Sequence, residues 1–165
     1  MVDRTALSYW FPKIRDAGVP VPRTELVIMS DNVARNIYCA INGEPVDDFD
    51  DSFFDELKTV ASSIGYPCFL RTDHTSAKHD WKNTCFVTTS DEIPGHVCAI
   101  VEFSEICDMI GLPYNTWAVR ELLPTAPLGF CPSFGDMPIC REFRFFVDDD
   151  KVRCWHPYWP ECALV

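Results

Sequence analysis

The sequence predicts an α+β protein with antiparallel strands, and three observations lead to that class. Several segments repeat apolar residues at helical spacing, short apolar runs lie between them, and the chain ends in two strand-like runs joined by the acidic turn DDDK. With 165 residues, of which 47% are hydrophobic, the chain can bury one substantial core or two small lobes that share one.

The first half of the chain is expected to contain three helices and a strand. Pro12 limits the first helix, and Ser30 or Asp31 caps the second. Gly65 suits the position that follows the third helix, because glycine adopts backbone angles that end helices. The predicted elements are a helix within 4–17, a strand at 26–29, a helix from about 31 to 43, an acidic surface loop at 44–52 and a helix that ends at 64.

The second half is expected to hold most of the strands. Acidic residues at 91 and 92 favour a helix start, and Gly111 with Pro113 ends that helix, which includes Met109 and Ile110. The predicted elements are strands at 67–71 and 85–89, a helix from 90 to about 110, a strand at 116–124, an irregular connection at 125–138 and a hairpin of strands 138–147 and 152–159.

The charge balance limits the kinds of partner. The chain has 25 acidic residues against 14 Lys and Arg, so its net charge of −11 argues against broad binding of nucleic acid. Eight of the 14 cations lie from Arg71 onward. A local pocket for an anion within an acidic protein is therefore expected.

Cysteine usage and the N-terminus predict a cytoplasmic protein. The nine cysteines are odd in number, include no CxxC pair and lie mostly in apolar runs, which is typical of reduced structural thiols. The start of the chain lacks the pattern of a signal peptide, and no apolar run approaches about 18 residues, so no membrane span is expected.

The stretch 65–87 is the main candidate for a functional site. Its polar loop carries Arg71, Lys78 and Lys82 between two apolar strands, an arrangement that can hold a polyphosphate. The alternative is a solvated loop with incidental charges. His74 and His79 with Asp73 and Asp80 could form a metal or acid–base site, although their irregular spacing favours a surface role.

Three further arginines, Arg120, Arg141 and Arg144, interrupt strand-like runs. They could hold strands in register through ion pairs of Glu142 with Arg144 or Arg120, or they could present guanidinium groups to a phosphate or carboxylate. Neither GxGxxG nor GxxxxGK[ST] occurs, which excludes Rossmann and P-loop sites, and no nucleophilic triad is evident. We expect Arg71, Lys78, Arg120 and Arg144 to converge on one cleft that binds a triphosphate.

The order of these segments resembles the ATP-grasp superfamily, most closely its small divergent members in phages and bacteria. It is more distantly similar to the eukaryotic cell-division-cycle assembly chaperones, which the resemblance places in the same superfamily. The resemblance covers the chain from about residue 19 onward, and its most specific piece is GYPCFLR at 65–71, followed by WAVRELLP and REFRFFVDDDKV. It implies two mixed or antiparallel sheet lobes with flanking helices and a nucleotide cleft between them. It divides the chain into a pre-grasp region (1–58), a small lobe with the phosphate loop (59–115) and a partial C-terminal lobe (116–165).

The resemblance also implies roles for individual residues. Family members use a glycine-rich phosphate loop, which this chain lacks, and metal-binding residues on strands beyond the hairpin, for which only Glu142 and Glu161 could substitute. The implied roles are nucleotide binding for Arg71, Lys78, Arg120, Glu121, Leu122 and Leu123, catalysis for Arg141 and Arg144, and metal binding for Glu142.

The function implied by the resemblance is binding of ATP with Mg²⁺. An ATP-dependent carboxylate–amine ligase that forms an acyl phosphate on a small carboxylate substrate is expected if the metal site is complete. The missing metal ligands indicate a truncated chain or lost catalysis. The alternative is a non-catalytic assembly or binding protein that acts on a protein partner. A nucleotidyltransferase with Lys78 as its adenylated nucleophile would need a glycine that the sequence KHDW lacks.

Overall fold

The computed structural model describes residues 3–46, 50–107 and 112–159, and over these ranges the chain forms four α-helices and eight strands. All paired strands are antiparallel, so the predicted α+β class is confirmed. The helices are α1 (Leu7–Asp16), α2 (Asp31–Ile41), α3 (Ser52–Ile64) and α4 (Ile93–Ile106). The strands are β1 (Thr24–Ile28), β2 (Cys68–Thr72), β3 (Phe86–Val87), β4 (Thr116–Glu121), β5 (Gly129–Cys131), β6 (Met137–Ile139), β7 (Phe143–Asp148) and β8 (Lys151–Pro157).

Local signals explain where the helices begin and end. The Ser30 hydroxyl accepts a hydrogen bond from the Val33 N–H at 3.3 Å, which satisfies a donor at the start of α2. Gly65 has a φ of 100° directly after α3, in a region that glycine adopts without a steric penalty. Pro12 lies inside α1, which continues past it to Asp16, so the proline shortens this helix less than predicted.

One four-stranded sheet, in the order β1-β4-β2-β3, organises the protein. Alternation along β4 sends Trp117 and Val119 to one face, where they join a core that includes Leu57 of α3 and Ile100 of α4. Ala118 and Arg120 lie on the opposite face. Helix α1 covers the Ala118 part of that face through Leu7 and Phe11, which leaves the Arg120 part free to border a cavity.

Two small hairpins follow the sheet. Strands β5 and β6 pair across the segment 125–138 that the sequence predicted to be irregular, with β6 ending one residue beyond it. Strands β7 and β8 form the predicted C-terminal hairpin, whose first strand begins at Phe143 and not at 138. The sequence did not predict the pair of β5 and β6, because this segment has prolines at 127, 132 and 138 and proline is depleted in strands. Asp149 and Asp150 both have positive φ values, 47° and 59°, as the two central residues of a tight hairpin turn require.

The predicted three-part division of the chain stays a prediction. Strands β1, β4, β2 and β3 of the central sheet come from all three of its ranges. Met109, Ile110 and Gly111, which were expected to end the fourth helix, lie outside the described residues. Over the described ranges, every helix is too short or too polar to cross a membrane.

Candidate functional site

Strand pairing places two arginines side by side on the open face of the sheet. Phe69 of β2 pairs with Arg120 of β4, and Arg71 pairs with Ala118, so Arg71 and Arg120 are diagonal neighbours on one face. Burial lowers the pKa of both guanidinium groups, and the positive charge of Arg120 lowers the pKa of Arg71 further. The fold therefore holds two like charges close together and partly out of water.

The two arginines differ in their hydrogen bonds. Arg71 Nε donates to the Thr72 carbonyl oxygen at 2.8 Å, and Arg71 Nη2 donates to the Asp73 carbonyl oxygen at 3.3 Å. The buried Nε of Arg120 has no hydrogen-bond partner in the described part of the chain. An unsatisfied buried donor costs about 1–3 kcal/mol, so a ligand that supplies an acceptor here would recover that free energy.

The loop after β2 is ordered by hydroxyl groups in place of the glycines that a phosphate loop often carries. The Thr72 hydroxyl accepts from the Thr75 N–H at 3.0 Å, which closes a tight turn. The Thr84 hydroxyl lies 2.9 Å from the Ala77 carbonyl oxygen and 2.7 Å from that of Asp80. These bonds fix the short 3₁₀ turn of residues 78–80 and so fix the backbone of Lys78.

Lys78 and Arg144 meet at an aromatic ring that follows β8. The Lys78 Nζ lies 4.2 Å from the centroid of the Tyr158 ring and 5.1 Å from that of Trp159. The Arg144 Cζ lies 4.7 Å from the centroid of the same Tyr158 ring. These distances are typical of cation–π contacts, and they bring a loop cation and a hairpin cation to one place.

None of these four cations has a carboxylate partner among the described residues. The predicted ion pairs of Glu142 with Arg144 or Arg120 are absent there; Glu142 Oε1 accepts from Trp159 Nε1 at 3.4 Å instead. Lys82, in the same loop as Lys78, does form an ion pair, 2.5 Å from Asp136. Lys82 thus forms an ion pair, whereas the four other cations form none among the described residues, and Asp73 favours the charged form of Arg71.

Two adjoining cavities contain most of these side chains. The first, which we call the apolar cleft, has a volume of about 330 Å³, and its walls include Phe69, Trp81, Leu122, Met137, Lys78 and Arg120. The second, the cationic compartment, has a volume of about 450 Å³ and is bordered by Arg71, Lys78, Arg120, Tyr158, Phe69 and His79. Phe69, Lys78 and Arg120 line both cavities, so the two cavities are neighbours.

The apolar wall includes residues that the sequence analysis did not single out. Trp81 stacks on Phe86 with ring centroids 5.2 Å apart and an interplanar angle of 16°, and it packs near Phe69 and Met137. Trp81 follows a polar loop, and Met137 lies in the segment that was expected to be irregular. A tryptophan within a charged loop was the only sequence signal that could have located this wall.

Two predicted site residues have other surroundings than expected. Arg141 precedes β7 as an exposed residue and lines neither the apolar cleft nor the cationic compartment. The carboxylate of Glu121 accepts a hydrogen bond from the Arg23 backbone N–H at 3.1 Å and lies 3.9 Å from Arg23 Nε. Glu121, Leu122 and Leu123 nevertheless line the apolar cleft, as does Glu142.

The histidine–aspartate site, which the sequence left as the less favoured alternative to a surface role, does not form among these residues. His74 Nε2 lies 3.8 Å from Asp3 Oδ2, whereas the His79 ring packs 4.4 Å from Phe103, centroid to centroid. Asp73 accepts hydrogen bonds from the backbone and hydroxyl of Ser8. The four side chains of the predicted site point to different surroundings because the loop turns between them.

The described residues do not fit a resident Mg²⁺ ion. Within 3–46, 50–107 and 112–159, no group of three His, Cys, Asp or Glu side chains could hold a metal. Metal binding by Glu142 stays a prediction, and Glu161 lies outside the described residues.

Comparison with known proteins gives one informative match. The chain is similar in structure to C-terminally truncated Cdc123 from Schizosaccharomyces pombe, with a TM-score of 0.51 and 12% sequence identity over 91% of this chain. The chain spans 60% of the length of that structure. No family model and no curated protein matches the sequence. At this identity the similarity concerns the fold alone.

These comparisons correct the family assignment made from the sequence. The matching solved structure is that of Cdc123, not that of a phage or bacterial ATP-grasp-like protein, and no model of the ATP-grasp family matches. The assignment to the ATP-grasp superfamily is therefore wrong. The stretch 65–71 consists of a helix end, a proline and a buried strand, and different folds share this local pattern.

Proposed function

We propose that this protein binds ATP, with the adenine in the apolar cleft and the phosphates in the cationic compartment. The observation that carries the proposal is that Phe69, Lys78 and Arg120 line both cavities, with the cations lacking carboxylate partners among the described residues. A nucleoside triphosphate has the same division into an aromatic base at one end and an anionic triphosphate at the other.

Electrostatics favour a multiply charged anion in the cationic compartment. Lys78 and Arg144 both contact the Tyr158 ring, so their charged groups lie within about 9 Å of each other. Like charges at that separation repel each other, and water at the exposed Arg144 screens much of that repulsion. Arg71 and Arg120 add a second pair. A polyphosphate between the two pairs replaces this repulsion with attraction.

The apolar cleft offers contacts suited to a purine. Phe69, Trp81 and Met137 provide apolar and aromatic surface, and rings of this kind bind bases by stacking or by edge contacts. The Leu122 N–H and C=O have no backbone hydrogen bond to another described residue. These two groups can donate to and accept from the edge of a base.

The described residues favour binding over any particular reaction. Because they form no carboxylate cluster for Mg²⁺, no catalytic step is assigned to them, and a metal that accompanies ATP would be held by its phosphates. Carboxylate–amine ligation stays a prediction, checked by ADP release in the presence of carboxylates and amines. A role on a protein partner also stays a prediction.

The test of the proposal is the affinity of ATP for the wild-type chain and for Arg120→Met. Methionine fills similar space without the charge or the unsatisfied Nε donor. We expect the dissociation constant for ATP, measured by isothermal titration calorimetry with and without Mg²⁺, to rise at least tenfold. Arg35→Met, which removes an exposed arginine from α2 on the other side of the sheet, is the matched control and should change it less than twofold. A wild-type chain that binds no ATP, or an Arg120→Met variant that binds it equally well, would refute the proposal.

A further inference from the structure

The aromatic ring of Tyr158 contacts two parts of the protein, the polar loop after β2 and the hairpin of β7 and β8. Tyr158 follows β8, and its ring contacts Lys78 of the polar loop and Arg144 of β7, at 4.2 and 4.7 Å from the ring centroid. Every residue of β7 and β8 is exposed, so the hairpin is not held to the rest of the protein by a buried core of its own. The position of Arg144 relative to the sheet therefore depends on contacts such as this one.

An aromatic ring holds a cation in a different way from a carboxylate. A carboxylate neutralises the cation and competes with any anionic ligand, whereas the face of a ring attracts the cation through its quadrupole and leaves the charge in place. Lys82 illustrates the first arrangement through Asp136, and Lys78 illustrates the second through Tyr158. The ring can thus keep two like charges near each other without cancelling either.

The charged end of Lys78 lies at the ring of Tyr158. Arg120 and Lys78 both line the two cavities, whereas Tyr158, whose ring centroid lies 4.2 Å from the Lys78 Nζ, borders only the cationic compartment. A ligand whose base lies in the apolar cleft meets Arg120 with its first phosphate. Its later phosphates extend toward Arg71 and the pair formed by Lys78 and Arg144.

We propose that Tyr158 is a positioning residue that makes this site selective for triphosphates over monophosphates. It does so by holding Lys78 and Arg144 where the distal phosphates lie. This inference rests on the proposed binding of ATP and adds to it the part of the ligand that decides affinity. Its consequence is that loss of the ring weakens ATP binding far more than AMP binding.

The backbone at this position does not depend on the side chain. The Tyr158 N–H donates to the Glu142 carbonyl oxygen at 2.9 Å, a bond that any residue except proline can make. The neighbouring Trp159 ring contacts the Tyr158 ring edge to face at 5.1 Å. Tyr158→Phe therefore retains the ring and its cation contacts, while Tyr158→Leu removes only the aromatic face.

The experiment measures the dissociation constants of ATP, AMP and inorganic tripolyphosphate for the wild-type chain, Tyr158→Leu and Tyr158→Phe at one salt concentration. We expect Tyr158→Leu to weaken ATP and tripolyphosphate about tenfold and AMP less than twofold, and Tyr158→Phe to restore the wild-type preference. A purely structural defect would weaken all three ligands together and would not change the ratio of the ATP and AMP constants.

The outcomes separate this inference from the proposed function. If Tyr158→Leu changes ATP and AMP equally, or changes neither, the role of Tyr158 is refuted while ATP binding stands. If the wild-type chain binds tripolyphosphate in a Tyr158-dependent way but binds no nucleotide, the positioning role stands and ATP binding is refuted. A wild-type chain that binds none of the three ligands refutes both.

Discussion

The central sheet and the C-terminal hairpin are both antiparallel and rich in apolar residues, yet they are buried to very different degrees. Trp117 and Val119 of β4 are 0% and 1% exposed, whereas Phe145 of β7 and Trp155 of β8 are 58% and 59% exposed. Three helices cover one face of the sheet, while the hairpin has no comparable layer within the described residues. An apolar strand pattern therefore does not determine burial; a covering element does.

Because the central sheet is buried and the C-terminal hairpin is exposed, the two regions contribute to the protein in different ways. Along β7, Phe143 and Phe145 lie on one face and Arg144 lies on the other, where its guanidinium reaches Tyr158. The sheet provides rigid positions for Arg71 and Arg120. The hairpin contributes Arg144, whose position depends on contacts such as the one with the Tyr158 ring. We expect stability to depend on the sheet and ligand selectivity to depend on the hairpin.

The largest expected contrast is in the response to truncation of a side chain. Leu57→Ala, in the core beneath the sheet, should lower the free energy of unfolding by about 2–5 kcal/mol, because it leaves a cavity at a fully buried position. Phe145→Ala should lower it by less than about 1 kcal/mol, because that side chain is already largely hydrated. Urea denaturation followed by circular dichroism measures both, and similar losses for the two variants would contradict the distinction.

The next contrast concerns the reactivity of cysteines. Cys85 lies beneath the loop with 0% exposure, and burial raises the pKa of its thiol to about 12, whereas Cys154 of β8 is exposed. At pH 8, iodoacetamide should modify Cys154 at least a hundredfold faster than Cys85, since the thiolate is the reactive form. Peptide mass spectrometry over time gives the two rates. Equal rates in the folded protein, with both rising alike in urea, would show that the loop does not protect Cys85.

The smallest expected effect is the dependence of stability on alkaline pH. Burial raises the pKa of Cys68 to about 11 and that of Cys85 to about 12, against about 9 for an unfolded chain. Above pH 9 the unfolded state loses these protons first, so the folded state binds more protons and stability falls as the pH rises. The loss should be about 1 kcal/mol per thiol between pH 9 and pH 10. Urea midpoints for the wild type and Cys85→Ala measure it, and the variant should show the shallower decline.

Local signals were sufficient for much of the secondary structure. The cap formed by Ser30, the stop at Gly65 and the tight turn at Asp149 and Asp150 each depend on residues within a few positions of one another. The pair β5 and β6 was missed for the opposite reason. Its prolines argue against strands, and only the pairing of Gly129 with Ile139 reveals them.

For the candidate site, residue type was more informative than position. Arg71, Lys78, Arg120 and Arg144 were expected to converge on one cleft that binds a triphosphate, and the structure places three of them around one compartment and the fourth at the ring of Tyr158. Arg141 is also an arginine next to a strand-like run, but it lines neither the apolar cleft nor the cationic compartment. The family resemblance failed because it was based on the order of the segments and on short strings, of which GYPCFLR was the most specific, and such local patterns do not determine the fold.

The sequence by itself determined the approximate helix boundaries, the hairpin and the presence of arginines within strand-like runs, because these follow from backbone preferences and composition over short distances. The tertiary structure alone decided that Arg71 lies beside Arg120 and that Lys78 and Arg144 share the Tyr158 ring. Those contacts depend on strand register and on the docking of segments distant in the chain, which are set by the packing of the whole core.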